Sequence, residues 1–375
     1  MKRHDWVSSP VPLDGERFLL GNRLFQGCPS LVRTARGRLF AGYYAGGSRE
    51  PSLLNYNIVT VSDDGGASWR ELFALPGCPE KRIQALDVEL FIDPLERLWV
   101  CFVQRDWGLP KTAEGHLNQY ALICTAPDAP DPVFSAPRFL GEGFMRCQPT
   151  FLHDGRWLLP AYHWRHDRYA WLETSDRGES FVERCGARKI TTDFDETMFL
   201  ESADGSVQML ARTKSGALAS SRSSDGGKTW SEAVLRPDLP DPSSRFYWRR
   251  LPSGRVLMVK NLDGCARINM TAMLSEDDGA SWPWKLLLDA RETSYPEAAC
   301  APDGTIDIVY DRGRCSDKEI LLTRISEEDI LAGTPKSPGA FLNRIISKAP
   351  AHPALGDWYR QALELYDQAT IPLPL

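Results

Sequence analysis

Six positions in the chain stand nine residues ahead of a recurring turn, and five of them carry groups that could do chemistry: Asp87, Arg146, Glu196, Arg245 and Tyr295, with Cys28 as the sixth. Charged and phenolic groups facing one interior are costly unless they pair tightly or meet a polar ligand. Two guanidiniums, two carboxylates and a phenol on one ring therefore point to a site for a polar small molecule. Two further arginines extend the series: Arg212 lies sixteen residues after Glu196, and Arg267 lies twenty-eight before Tyr295.

The elements that must position these residues repeat. A turn followed by an apolar strand reads ARGRLFAG, PLERLWVC, HDGRWLLP, ADGSVQML, PSGRVLMV and PDGTIDIV, with Gly37, Glu96, Gly155, Gly205, Gly254 and Gly304 in the turn. Their spacings are 59, 59, 50, 49 and 50 residues. A second signal, Ser/Thr-x-Asp-x-Gly-x-Ser/Thr-Trp/Phe, occurs at Ser62–Trp69, Thr174–Phe181, Ser223–Trp230 and Ser275–Trp282. A decayed copy fits Thr125–Asp128 with Phe134, and a sixth unit without a box falls near Thr323–Ile325. Some four short strands per unit of about fifty residues is the pattern of a propeller blade. The reading is an all-β, six-bladed β-propeller over residues 1–325, in which the Asp-boxes are scaffold: their Asp, hydroxyl and Gly serve a tight turn. Residues 1–20 are expected to supply a closing strand for the last blade. Residues 326–375 read as a short C-terminal helical appendage packed on the propeller, with helical spacing at Phe341–Lys348 and Pro353–Gln368, or alternatively as a homodimer contact.

The fragments FDETMFLESADGSVQMLAR, ARINMTAMLSEDDGASW and TSYPEAACAPDGTIDIVYD together resemble the sialidase superfamily over about 300 residues. The resemblance implies an exo-acting glycoside hydrolase that removes a terminal acidic sugar with retention of configuration. It makes Tyr295 the nucleophile, Glu196 its general base, and Arg212 and Arg267 the clamps on the sugar's carboxylate. A Tyr nucleophile suits that substrate, because an anionic Asp or Glu would be repelled by a carboxylate on the anomeric carbon. A phenol with an ordinary pKa of about 10 needs a base and cationic surroundings to attack. Glu50, twelve residues before the first box, takes the place of the family's acid/base Asp. The chain departs from the family where its first clamp Arg should stand: Phe25–Ser30 reads FQGCPS. Arg146, Arg245, Arg312 and Arg314 are candidates to replace the lost charge, and Asp311 corresponds to the acid that braces it. Asp87 joins Arg146 and Arg245 as an expected substrate-binding residue.

That departure keeps two other readings open, a polysaccharide lyase acting on uronate-containing glycans and a carbohydrate-binding propeller without turnover. A formal net charge of −6 argues against a broad nucleic-acid footprint, and no apolar run approaches the length of a membrane span. Nine scattered cysteines without a CxxC pair read as reduced thiols, and the N-terminus lacks an apolar signal region, so a cytoplasmic location is expected. No cofactor is implied. His163 and His166 show no further ligands nearby in sequence, so no metal is expected. Trp107, Trp164 and Trp248 read as core aromatics, with sugar stacking as the alternative.

Overall fold

The computed structural model describes residues 5–367. Six four-stranded sheets follow one another along the chain, at 26–76, 83–142, 150–188, 198–240, 247–289 and 293–348, each a run of sequential strands. They are the six blades of a β-propeller. The repeat read in the sequence has a backbone basis. All six turn residues are left-handed, with φ of 90° at Gly37, 60° at Glu96, 88° at Gly155, 79° at Gly205, 92° at Gly254 and 86° at Gly304. In every one the turn residue's amide donates to the carbonyl three residues earlier, at 2.9–3.1 Å. Glycine takes that conformation without steric cost. The strands that follow are largely buried.

By contact density the described chain falls into two units. One comprises 5–142, 311–321 and 345–367, and the other 143–310 and 322–344. In the first, Phe40, Val59 and Val61 of the first blade pack against Val88, Leu90, Val100 and Leu122 of the second. In the second, Trp171 and Leu158 of the third blade pack against Phe199 and Met209 of the fourth, with Trp230 closing the cluster.

The four Asp-boxes repeat one hydrogen-bond set. Asp64, Asp176, Asp225 and Asp277 each accept a backbone amide four residues on, at 2.8–2.9 Å, and the hydroxyl of that same residue, at 2.5–2.6 Å. The opening hydroxyl donates to the same carboxylate and accepts the amide of Gly66, Gly178, Gly227 or Gly279. The decayed box is held differently: Asp128 accepts the Thr34 hydroxyl at 2.6 Å, and Arg38 donates to the carbonyls of Pro127 and Ala129. Phe134 still packs edge-on against Phe73.

Three expectations need correction. Phe341–Lys348 is a strand, the outer one of the sixth blade, so the propeller continues past residue 325. A short apolar run is ambiguous between helix and strand, and the β-branched pair Ile345–Ile346 together with an open sheet edge decides for strand. Asn343 is fastened there by the hydroxyls of Tyr310 and Thr323. The described part of residues 1–20 does not close the last blade; Val11 instead bridges Ala74 at the edge of the first. The helical appendage reduces to Glu327–Ala332, which a Ser326–Asp329 capping box starts, and Asp357–Ala362, which runs on as a π-turn to Asp367. Gln368 lies outside the described residues. The tail is committed to its own chain: the Gly47 amide donates to the Tyr359 hydroxyl at 2.7 Å, and Asp367 accepts the Ser48 amide and the Ser52 hydroxyl. These contacts do not support the expected homodimer through the tail. All nine cysteines are free thiols, and no helix among the described residues is long and apolar enough to cross a membrane.

Two predictions follow from the turns and boxes. A Cβ at Gly205 would meet nothing within 4 Å, so Gly205→Ala isolates the left-handed strain and should cost about 1–2 kcal/mol. Glu96→Gly should gain about 1 kcal/mol at the one turn without glycine; paired denaturant melts check both, and equal effects would contradict the strain account. The hydrogen bonds of Ser68, Ser180 and Thr229 hold Asp64, Asp176 and Asp225 well below the usual carboxylate range, and those of Ser281 and Ser275 bring Asp277 to about 2. A depressed carboxyl contributes stability above its unfolded pKa and loses it as pH falls toward its folded one. Melting temperature should therefore drop between about pH 4 and pH 2, less steeply in Asp225→Asn than in the wild type.

Candidate functional site

The second unit gathers five of the expected residues on one phenol. Tyr295 lies near the start of the strand Thr293–Cys300, and Glu196 and Arg245 each lie two residues before the first strand of their blades. The Tyr295 hydroxyl donates to Glu196 Oε1 at 2.5 Å. Arg212 Nη1 donates to Glu196 Oε2 at 2.8 Å and to the Tyr295 oxygen at 3.0 Å. The guanidinium carbons of Arg146, Arg245 and Arg267 lie 4.8, 5.4 and 5.5 Å from the Tyr295 ring centre. Burial opposes charge on Glu196, but Arg212, Arg146 and the Tyr295 hydrogen bond outweigh it and hold the carboxyl below its ordinary range. Burial, followed by the Glu196 charge, pushes the phenol up to about 12 against the pull of Arg212, Arg146 and Arg267. At rest the proton therefore stays on Tyr295, on a short bond to a charged acceptor.

The backbone under this group is strained. Glu196 and Tyr295 have φ of 35° and 57°, and in the first unit Cys28 and Asp87 have 56° and 55°. Cys28 and Asp87 sit in breaks of strand register, between Gly27 and Ser30 and between Leu86 and Glu89. Left-handed non-glycine residues cost on the order of 1–3 kcal/mol each and concentrate at functional sites. Four of the six positions obtained by counting back nine residues thus have left-handed backbone, and at Cys28 and Asp87 the strand register breaks.

Arg245 is held by backbone carbonyls. It is 1% exposed and donates to the carbonyls of Arg146 at 2.8 Å and Tyr295 at 3.1 Å, with Glu297 at 3.2 Å. Bonds to these backbone carbonyls brace the chain around Tyr295. Ser243 went unnoticed in the sequence, yet it orients both remaining arginines: its hydroxyl accepts Arg212 Nε at 3.0 Å, and its carbonyl accepts Arg267 Nη2 at 2.8 Å. It too is left-handed, with φ of 57°. A Pro-Ser-Ser run carries no signal for such a role. Phe194, half a turn of chain before Glu196, lies 5.3 Å from the Arg212 guanidinium and 6.3 Å from the Trp164 ring. Trp248 is buried, and Trp107 carries Arg105 on its face at 3.7 Å.

In the first unit, Asp311 and Arg314 draw partners from a distant part of the chain. The Cys28 amide donates to Asp311 Oδ2 at 2.7 Å. Arg314 donates to the same oxygen at 2.9 Å and to Glu50 Oε2 at 3.1 Å, and the Cys28 sulfur lies 3.7 Å from Glu50. Its stem crosses Gly27, where a Cβ would come within 2.8 Å of Arg314 Cγ. Among the arginines considered for the exchange, Arg314 is the one bonded to Asp311 and Glu50; Arg312 turns to Asp317 and Glu319. Asp87 is buried in the same unit.

Residues 90–308, more than half of the chain, match the BNR repeat-like domain family. The chain belongs to that family, within the sialidase superfamily. A sialidase of Micromonospora viridifaciens is 30% identical over 220 residues, 54% of this chain and 33% of the relative. An anhydrosialidase of Macrobdella decora is 23% identical over 194 residues, 46% of this chain and 25% of the relative. The aligned stretch spans a third or less of these curated relatives. Among solved structures, the Hadza microbial sialidase Hz136 superposes with a TM-score of 0.69 at 17% identity, covering 82% of this chain and 67% of its own. The intramolecular trans-sialidase of Ruminococcus gnavus superposes with a TM-score of 0.62 at 14% identity, covering 80% and 94%. These likenesses show the fold.

Ser243→Gly keeps the left-handed backbone while removing the acceptor of Arg212 Nε. It should cost about 1.5–3 kcal/mol of stability, the scale of one hydrogen bond to a charged group. Denaturant melts check this, and an unchanged midpoint would show that the Ser243 hydroxyl does not hold Arg212.

Proposed function

We propose that the protein is an exo-acting glycoside hydrolase of sialidase type that removes a terminal acidic sugar through Tyr295. The observation that carries the reading is the 2.5 Å bond from Tyr295 to Glu196 with Arg212 shared between them. Attack on the anomeric carbon moves the phenol proton along that bond to Glu196, so a free phenolate never has to form. Arg212 holds the carboxylate that receives the proton and faces the developing charge. Arg267 and Arg146, beside the ring, favour an anionic sugar and support the charge that leaves the phenol. The covalent intermediate then accounts for retention. Glu50 is the acid proposed to protonate the leaving oxygen, from its place in the loop before the first box. Arg314, bonded to Glu50 and Asp311, is proposed to replace the family's first clamp.

Hydrolysis of an aryl α-sialoside tests the reading. The wild type should turn over, and Tyr295→Phe should lose roughly a thousandfold or more in kcat/KM, as removal of a nucleophile does. Full activity in Tyr295→Phe would overturn the mechanism. Turnover of aryl uronides instead of sialosides would keep the fold of the site and change the sugar.

A further inference from the structure

His163, His166 and Glu183 form a second cluster in the same unit, apart from Tyr295's bonding network. The two histidines lie in the connection between the strands Trp157–Pro160 and Arg168–Thr174, and Glu183 lies on the next strand, opposite Leu172. That connection curls back so that both imidazoles aim Nε2 at one oxygen. His163 Nε2 lies 3.2 Å and His166 Nε2 2.9 Å from Glu183 Oε1, and the three candidate donor atoms all lie within 4.8 Å of one another. A tetrahedral metal with bonds of about 2.0–2.1 Å holds its ligands about 3.3 Å apart, close to the two His–Glu separations, and small side-chain rotations within the 4.8 Å bound complete the set. His163 is 3% exposed, and its Nδ1 has no hydrogen-bond partner, so its only side-chain polar contact is the one toward the cluster. His166 and Glu183 are partly exposed, which leaves an open side for water ligands. Arg165 Nη2 lies 3.8 Å from Glu183 Oε2, the other oxygen, and leaves Oε1 to the histidines.

We infer that His163, His166 and Glu183 form a binding site for a borderline transition-metal dication, with zinc as the natural occupant of two imidazoles and one carboxylate. Calcium and magnesium are disfavoured because both prefer all-oxygen sets. The site ties the 163–166 connection to its neighbouring strand. Its effect reaches further through Lys189, which donates to the His163 carbonyl at 3.1 Å and pairs with Asp195 at 2.8 Å, the residue before Glu196. The metal is thus placed to steady the corner from which Glu196 projects, while binding itself is independent of what the protein hydrolyses.

Zinc chloride titrated into the metal-free full chain, in competition with a chromophoric chelator, tests this. One equivalent should bind and raise the melting temperature. His166→Ala and Glu183→Gln, both at partly exposed positions, should fold as the wild type does in chelator. Each should weaken binding by at least the roughly 10–100-fold that even outer-shell changes cost. Cys185→Ser should bind as the wild type does, which separates the cluster from the exposed thiol two residues along. Absence of a stoichiometric site, or equal affinity in all variants, would overturn the inference and leave a hydrogen-bonded cluster only.

Discussion

The bond between Tyr295 and Glu196 joins two strand ends 99 residues apart, and it makes sense only because Arg212 touches both partners. Without the guanidinium, a buried carboxylate facing a buried phenol would draw the proton toward a shared, neutralised state. With it, Glu196 keeps its charge and Tyr295 keeps its proton. Two further contacts hold the group in place: Arg245 fixes the Tyr295 backbone, and Ser243 orients Arg212 and Arg267 at once. The geometry has little tolerance, since a guanidinium shifted by an ångström would lose one of its two partners.

The strain at these positions is affordable because the blades around them are over-determined. Each blade turns on the same left-handed residue with the same amide-to-carbonyl bond, and four of them lock their outer hairpin with the same Asp-box. Those parts are local, redundant and distant in role from chemistry. They hold strands firmly enough for bulges at Cys28 and Asp87, and left-handed backbone at Glu196 and Tyr295, to persist. The decayed box at Asp128 shows the tolerance of the scheme: Thr34 and Arg38 from the preceding blade take over its bonds.

Asp311 in the first unit also draws a partner from a distant part of the chain, the Cys28 amide. A guanidinium reaches the same acid from Arg314, and Gly27 leaves room for its stem. That meeting is invisible in a motif, since a motif records which residue stands at a place and not which side chain arrives there. The tail is a parallel case. Phe341–Lys348 looked helical because its own spacing permits a helix, but the sixth blade lacked an outer strand, and pairing with that edge outweighed the local preference.

The sequence by itself determined the six-fold repeat, the turn residues, the scaffold role of the boxes and the series Glu196, Arg212, Arg267 and Tyr295. All of these rest on local patterning: a turn needs glycine at a fixed offset, a strand needs an apolar run after it, and equal repeats carry equivalent positions to equivalent places. Tertiary structure alone decided which groups meet. It tied Arg245 to the carbonyls of Arg146 and Tyr295, brought Ser243 to two arginines, delivered Arg314 to Glu50, and set His163 and His166 beside Glu183. Such contacts depend on where long side chains end, five or six ångströms from their backbone. Neighbouring strands bring residues twenty to hundreds of positions apart to one point, and no spacing along the chain encodes that convergence.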